Sequence, residues 1–294
     1  MQILSGKEVS EAVYVDLKKK TAEFVAINGY APTLAVVLVG NDPASQSYVE
    51  SKKKACISLG FGHRDYHLSE TVSQDELVKL IKDLNADSSV HGILVQMPLP
   101  NNLDADLVIE TIDKDKDVDG FHPQSVGNLL IGLPCFVSCT PKGILEMLDY
   151  YHIETKGKHV VILGRSNIVG KPMAALLMQK GRDATVTVCH SRTENLASYT
   201  RQADIIIAAI GKPLFVKPEM IKEGVIIIDV GINRIEDSTR KRGYRLVGDV
   251  DYDQVASHCQ SITPVPGGVG VMTIAMLMKN TLQAATQLAL KDIE

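Results

Sequence analysis

Tyr48 and Lys52 stand four residues apart in the stretch SYVESKKKACISLGF, a spacing that puts both on one face of a helix and turns Lys53 and Lys54 away from it. A phenol ring offers a stacking surface to a flat heterocycle, and an amine beside it can polarise a group or move a proton. Lysine runs on helices are ordinarily solvated, so the pair gains meaning only from further elements. One is His91 to Pro100, HGILVQMPLP, where a buried strand ends in Gln96 and two prolines break the chain. That amide then sits at a strand's carboxyl end, the edge at which open α/β sheets bind ligands. Another is Asp117-Val118-Asp119-Gly120-Phe121, a turn offering a carboxylate that can accept two hydrogen bonds from an amino-pyrimidine edge. The plainer alternatives are a turn or capping Asp and a solvated Gln. The fourth is Thr263-Pro264-Val265-Pro266-Gly267-Gly268-Val269-Gly270, stiff and then permissive, a backbone that allows close approach to a ligand.

A second kind of chemistry is written in His159 to Gln179, HVVILGRSNIVGKPMAALLMQ, where an apolar run meets a Gly-rich turn and then a helical pattern. In a dinucleotide fingerprint the first Gly permits the tight turn, the second lets backbone approach the pyrophosphate, and the third lets helix pack on strand. Gly164 and Gly170 fill the outer roles, Ser166 stands where the second Gly belongs, and one extra residue precedes Gly170. An NAD site places Asp or Glu about 20 residues beyond the first Gly to hold the ribose 2′-hydroxyl. Here that place reads Cys189-His190-Ser191-Arg192-Thr193, with no acid. Ser191, Arg192 and Arg165 can instead donate charge-assisted bonds to a 2′-phosphate, so NADP is expected over NAD. The alternative makes Arg192 an ordinary surface residue.

Positioning such residues requires alternating strands and helices, the pattern of parallel sheets. In the first half, Thr33 to Val39, Phe61 to Leu68 and His91 to Val95 read as strands, separated by helical patterns over 43–59, 73–86 and 103–112. In the second, strands at Val160–Leu163, Thr185–Cys189, Ile205–Ala209 and Val225–Val230 alternate with helical segments, with Leu246–Val250 and Ser261–Thr263 as two further candidates. The expected class is α/β with two α/β domains, the C-terminal one a Rossmann-like, doubly wound parallel sheet. Asp113 to Pro141, rich in turn residues, marks the boundary. The N-terminal MQILSGKEVSEAVYVDLKKK carries an amphipathic helical pattern, and a last helix runs from Val271 to Lys291.

Composition excludes other classes. The 294 residues, 45% hydrophobic, suffice for two cores. A net charge of −4 with interspersed signs argues against nucleic acid, which needs a basic face. Five cysteines form no CxxC or Cys/His cluster, so neither a disulfide framework nor a metal site is expected, and Cys135 and Cys139 read as buried. No stretch approaches the roughly 20 apolar residues of a membrane span, and no signal-peptide core is present. The cytoplasm is the default location.

Taken in order, YVESKKKA, GILVQMPLP, DVDGF, GRSNIVGKP, CHSRT, DVGIN and TPVPGGVGVMT resemble the bifunctional methylenetetrahydrofolate dehydrogenase/cyclohydrolase (FolD) family over nearly the whole chain. The resemblance implies a folate-binding catalytic domain (1–138 with 275–294), an NADP-binding Rossmann-like domain (139–274), a cleft between them, and a homodimer. It implies oxidation of 5,10-methylenetetrahydrofolate by NADP, followed by hydrolysis to 10-formyltetrahydrofolate in one active site. By matching position it makes Lys52 the catalytic lysine, Tyr48 the ring stacked on folate, Gln96 the group that orients and tunes Lys52, and Asp119 the pterin ligand. Val95, Met97, Pro266, Gly267, Gly268 and Thr273 would border folate. Gly164, Arg165, Ser166, Gly170, Ser191, Arg192 and Ile232 would bind NADP. Two departures from the family pattern are Val271, where Pro is common, and Met97 for the commoner Leu, a volume-conserving change. A free lysine titrates near about 10.4, so burial or a nearby cation would have to lower it for general base work; acting as base and merely polarising water are both open to Lys52. The rival functions are another two-domain NADP oxidoreductase of shikimate-dehydrogenase type, a non-catalytic folate or nucleotide sensor, and a family member retaining one activity.

Overall fold

The computed structural model describes residues 1–240 and 243–291; residues 241–242 of the second half and 292–294 of the C-terminal segment assigned to the first lie outside the described residues. In chain order the elements begin with β1 (Gln2–Ile3), α1 (Gly6–Asn28), β2 (Thr33–Val39), α2 (Pro43–Leu59), β3 (Gly62–Leu68), α3 (Gln74–Ala86), β4 (Gly92–Val95), α4 (Ala105–Thr111) and α5 (Pro123–Ile131). They continue with α6 (Cys139–Tyr150), β5 (His159–Leu163), α7 (Gly170–Met178), β6 (Thr185–Cys189), α8 (Leu196–Thr200), β7 (Ile205–Ala208), β8 (Val225–Asp229), β9 (Asn233–Glu236), β10 (Tyr244–Val247), α9 (Tyr252–Val255), β11 (Cys259–Ile262) and α10 (Val269–Lys291). Among the described residues no helix is long and apolar enough to cross a membrane.

The chain forms two compact units, one of Ala12–Cys139 with Ile274–Glu294, the other of Met1–Glu11 with Thr140–Thr273. The first holds a parallel sheet in the order β3-β2-β4. Its middle strand, TLAVVLV, is buried from Leu34 to Val39, the continuous apolar run expected where helices cover both faces of a sheet. Helix α3 presents Leu77, Ile81 and Leu84 to that core at helical spacing, each burial contributing about 1.5–3 kcal/mol. A capping box, Ser73 with Glu76, fixes its start. Because β2 is followed by β3 on one side and β4 on the other, the strand order reverses between β2 and β4. The crevice of such a reversal lies at the strands' carboxyl ends.

The second unit is built on six parallel strands in the order β1-β11-β8-β7-β5-β6. Here the order reverses between β5 and β7. Residues 1–11, assigned by sequence to the folate-binding half, go instead with this unit. Gln2 and Ile3 pair with Ser261 and Ile262, and Gly6 is packed so closely that a Cβ there would lie 1.9 Å from the Gly268 carbonyl oxygen.

Two other expectations change. The strand expected at Leu246–Val250 ends at Val247 and pairs antiparallel with β9, outside the main sheet. The amides of Asp249 and Val250 bind the Asp229 carboxylate in place of a strand ladder. The turn-rich boundary 113–141 contains α5 and the start of α6. Pro123 lies in the first turn of α5 and Gly132, at φ 76°, closes it, so residues that read as breakers are a helix's own start and stop signals.

Candidate functional site

Lys52 projects from α2, which follows β2 past its carboxyl end. Asp42 caps that helix by accepting from Ser45 N at 2.8 Å, and Pro43 fits its first turn. Of the three consecutive lysines only Lys52 is buried, at 9% exposure. Lys53 pairs with Asp65 at 3.3 Å and Lys54 is exposed. The Lys52 Nζ donates to Gln96 Oε1 at 2.6 Å. Gln96 follows β4, where its backbone amide extends the sheet to Val37 O at 2.8 Å. Its Nε2 donates to Met97 O at 2.7 Å, so the amide is held with its oxygen toward the lysine. Tyr48, one turn before Lys52, is 48% exposed. Val95 is buried in β4.

Asp119 is the charged neighbour of this pair. Burial pushes its carboxyl above the ordinary value, while Lys52 and then the Cys139 thiol draw it down. In return burial lowers the Lys52 ammonium below its ordinary value, opposed by the negative charge of Asp119 and then of Cys139. Desolvation is the largest cause for both groups, so burial biases each toward its neutral form. Around Asp119 the turn is built from inside. Asp117, buried, accepts from His122 N at 2.7 Å and is pushed up to about 7 by burial. Lys116 donates to the carbonyls of Leu84, Asn85 and Asp87 at 3.2, 2.8 and 2.8 Å. Gly120, at φ 72°, fits because a Cβ there would lie 2.7 Å from Ser138 N.

Two groups given no role at the site by the sequence complete the frame. Asn280 of α10, fully buried, donates to Val118 O at 2.7 Å and Val137 O at 3.1 Å. Cys139, expected only to be buried, is buried and lies with its Sγ 3.6 Å from Val118 O and 3.9 Å from Asp119 Oδ1; Cys135 is half-buried. Neither Asn280 nor Cys139 carries a short-range motif signal, since their partners are 162 and 21 residues away.

The second unit brings the other candidates to the carboxyl edge of its sheet. Gly164 follows β5 at φ 119°, and a Cβ there would lie 2.2 Å from Ala209 O, at the end of β7. A Cβ at Gly170 would lie 2.2 Å from Gly164 O. Both glycines are therefore required by the turn, as the fingerprint expects of its first and last. Ser166 Oγ accepts from Val169 N at 3.2 Å and Gly170 N at 3.4 Å, closing the loop in which a glycine was expected. Arg165, Ser166, Ser191 and Arg192 are exposed, and among the described residues neither guanidinium is paired with a carboxylate. A cradle that no Cβ would fit, with two uncommitted guanidinium groups and two hydroxyls beside it, suits a phosphorylated dinucleotide. Ile232, 48% exposed, lies against Gly270 in the first turn of the last helix, where a Cβ would be 2.7 Å from Ile232 Cδ1.

Pro266, Gly267, Gly268 and Thr273 belong to this second unit, not to that of Lys52. Their loop is tied to the N-terminal segment by Lys7 N donating to Gly267 O at 3.2 Å, and Thr273 Oγ1 lies 3.2 Å from Thr140 Oγ1. Among the described residues no group of three His, Cys, Asp or Glu side chains is placed to hold a metal ion.

Residues 4–119 match the catalytic domain of tetrahydrofolate dehydrogenase/cyclohydrolase, and residues 138–289 match the NAD(P)-binding domain of the same enzymes. The chain is similar to the bifunctional protein FolD of Chlorobium phaeobacteroides, with 57% identity over 97% of this chain and 98% of that one. Among solved structures it resembles the bifunctional FolD methylenetetrahydrofolate dehydrogenase/cyclohydrolase of Campylobacter jejuni, at 50% identity and a TM-score of 0.92 over 98% of this chain and 99% of that one. It also resembles the Trypanosoma brucei methylenetetrahydrofolate dehydrogenase-cyclohydrolase complexed with NADP and inhibitor, at 38% identity and a TM-score of 0.92 over 97% of each.

Proposed function

Since the chain belongs to the tetrahydrofolate dehydrogenase/cyclohydrolase family, we propose that Lys52, held by Gln96 and flanked by Asp119, performs the proton transfers of its chemistry. The enzyme oxidises 5,10-methylenetetrahydrofolate to 5,10-methenyltetrahydrofolate with NADP and hydrolyses that product to 10-formyltetrahydrofolate. We assign folate to the unit containing 12–139 and 274–291, and NADP to the unit containing 1–11 and 140–273. When bound, NADP supplies the acceptor for the hydride that leaves the methylene carbon. The chain's contribution to that step is orientation, with Tyr48 as the ring on which folate stacks, Asp119 as the acceptor for its pterin edge, and Val95 and Met97 as its borders. On the cofactor side, Gly164, Ser166 and Gly170 shape the turn that receives the pyrophosphate, Arg165, Ser191 and Arg192 donate to the 2′-phosphate, and Ile232 is a further contact of the cofactor.

Hydrolysis follows by addition of water to the methenyl carbon. The new C–O bond forms as the water gives up one proton; the C–N5 bond then breaks as N5 gains a proton and the adduct's remaining hydroxyl proton leaves to solvent to give the formyl C=O, so one proton is released overall. Lys52 is suited to both transfers because burial favours its neutral amine, which can accept the water's proton and release it to N5. Gln96 accepts a hydrogen bond from that amine and keeps its donor directed. The single observation carrying this reading is the 2.6 Å contact from a buried lysine to an amide whose own orientation is fixed. Five free cysteines support work in the reducing cytoplasm, and the family resemblance supports a homodimer.

The purified protein, mixed with NADP and methylenetetrahydrofolate, should form NADPH, and added methenyltetrahydrofolate should decay without cofactor. A preparation that reduces NADP but leaves the methenyl compound at its spontaneous rate would remove the hydrolytic role.

A further inference from the structure

The reactions proposed above leave unused a pair of buried aspartates in the nucleotide-binding unit, Asp229 at the end of β8 and Asp249 just after β10. They are 2% and 0% exposed, and among the described residues neither is paired with a cation. Their oxygens are held by backbone amides and one side-chain amide. Asp249 Oδ2 accepts from Ile210 N at 2.7 Å and Gly211 N at 2.9 Å, in the loop after β7. Asp249 Oδ1 accepts from Asn233 Nδ2 at 2.9 Å, in the segment after β8. Asp229 Oδ1 in turn accepts from Gly231 N and Asp249 N, both at 2.9 Å, and its Oδ2 accepts from Val250 N at 3.0 Å. Two glycines make the room. A Cβ at Gly231 would lie 2.3 Å from Asp249 Oδ1, and one at Gly248 would lie 1.7 Å from Asp229 Oδ2.

Burying two carboxylates beside each other is costly, because each must be taken out of water. What this pair secures is the relative placement of two loops. The loop after β7 begins at Ala209, whose carbonyl oxygen fills the place of a side chain at Gly164. The segment after β8 runs Gly231-Ile232-Asn233, with Ile232 between two anchored residues. With β5, β7 and β8 adjacent in the sheet, the turn at Gly164 and these two loops form one continuous rim.

We infer that Asp249, seated on Asp229, is a positioning residue for NADP: its carboxylate ties the loop after β7 to the segment after β8 and so sets the rim against which the cofactor lies. This rests on the assignment of NADP to this unit. It touches no step of the hydrolysis, which consumes no NADP.

The test compares equilibrium binding of NADPH, read by its fluorescence, with hydrolysis of supplied methenyltetrahydrofolate. Asp249→Ala leaves three donors of the two loops without their acceptor and should raise the Kd for NADPH by about tenfold or more. Asp249→Asn keeps one oxygen for Ile210 N and Gly211 N, and Asn233 can turn its own amide to meet the new NH₂, so affinity should return to within a few-fold of the parent. Methenyl hydrolysis should keep its kcat in both. If Asp249→Ala fails to fold, Asn233→Ala, which releases only one of the two loops, should still weaken NADPH. Equal affinity in the folded variants, or a parallel loss of NADPH binding and hydrolysis, overturns the inference. Absence of NADPH binding in the parent protein would instead overturn the cofactor assignment beneath it.

Discussion

Changing Gln96 to Glu reads the proton on Lys52 directly. The substitution keeps the length of the side chain and places a carboxylate where an amide oxygen now stands 2.6 Å from Lys52 Nζ. At that separation a unit charge stabilises the ammonium by about 1.6 kcal/mol even with water-like screening, and by about 6 kcal/mol at an effective dielectric constant near 20. Each 1.36 kcal/mol or so moves a titration by about one unit. The sign is fixed: burial lowers Lys52, Asp119 already opposes that lowering, and a second carboxylate opposes it further. If the neutral amine is the working form, the rising limb of the pH–rate profile for methenyl hydrolysis must move up by about one pH unit or more. At neutral pH the rate should then fall about tenfold per unit moved. The assay is the initial rate of methenyl decay across the pH range at saturating substrate, with KM followed separately. A midpoint that stays in place or moves down, with the rate otherwise lowered, would refute the reasoning that the amine acts as a base.

Arg165→Ala and Arg192→Ala should each raise the KM for NADP with little change for NAD, since a lost charge-assisted bond costs about 1.5–3 kcal/mol, roughly ten- to a hundredfold; equal effects on both cofactors would remove the 2′-phosphate assignment. Gly164→Ala puts a Cβ 2.2 Å from Ala209 O at a φ of 119° and should lower the melting temperature as well as NADP affinity, with a backbone cost of about 1–3 kcal/mol before the overlap is counted. Gly181→Ala separates the two causes, because Gly181 also has a positive φ, 94°, with nothing within 4 Å of the added carbon.

The strands were legible where burial makes them continuous apolar runs, as in Thr33–Val39 and Ile205–Ala208, because hydrophobic periodicity reports burial directly. It fails where backbone is satisfied by side chains. The segment after β10 is apolar enough to read as strand to Val250, yet its amides go to Asp229, a partner 20 or more residues away that no local pattern announces. Residues 2–3 likewise become a strand only because β11, distant in sequence, offers them an edge. At the candidate site, helical spacing singled out Lys52 over Lys53 and Lys54, and the structure buries that one alone. The spacing says nothing of Gln96 Nε2 being held by Met97 O, of Asn280 bracing the turn before Asp119, or of the Asp229–Asp249 pair. The first is a side-chain turn onto the next residue's carbonyl and the other two are tertiary contacts, all made by residue types common in turns and helices.

Replacing Lys52 with Met tests the central claim most directly, since it keeps bulk and removes the amine. Single-turnover decay of methenyltetrahydrofolate should slow roughly a hundred- to ten-thousandfold, the usual worth of general acid–base catalysis. The same protein should melt cooperatively and bind NADPH as the parent does. Hydrolysis at the parent rate in a folded Lys52→Met protein would contradict the assignment of the chemistry to this lysine.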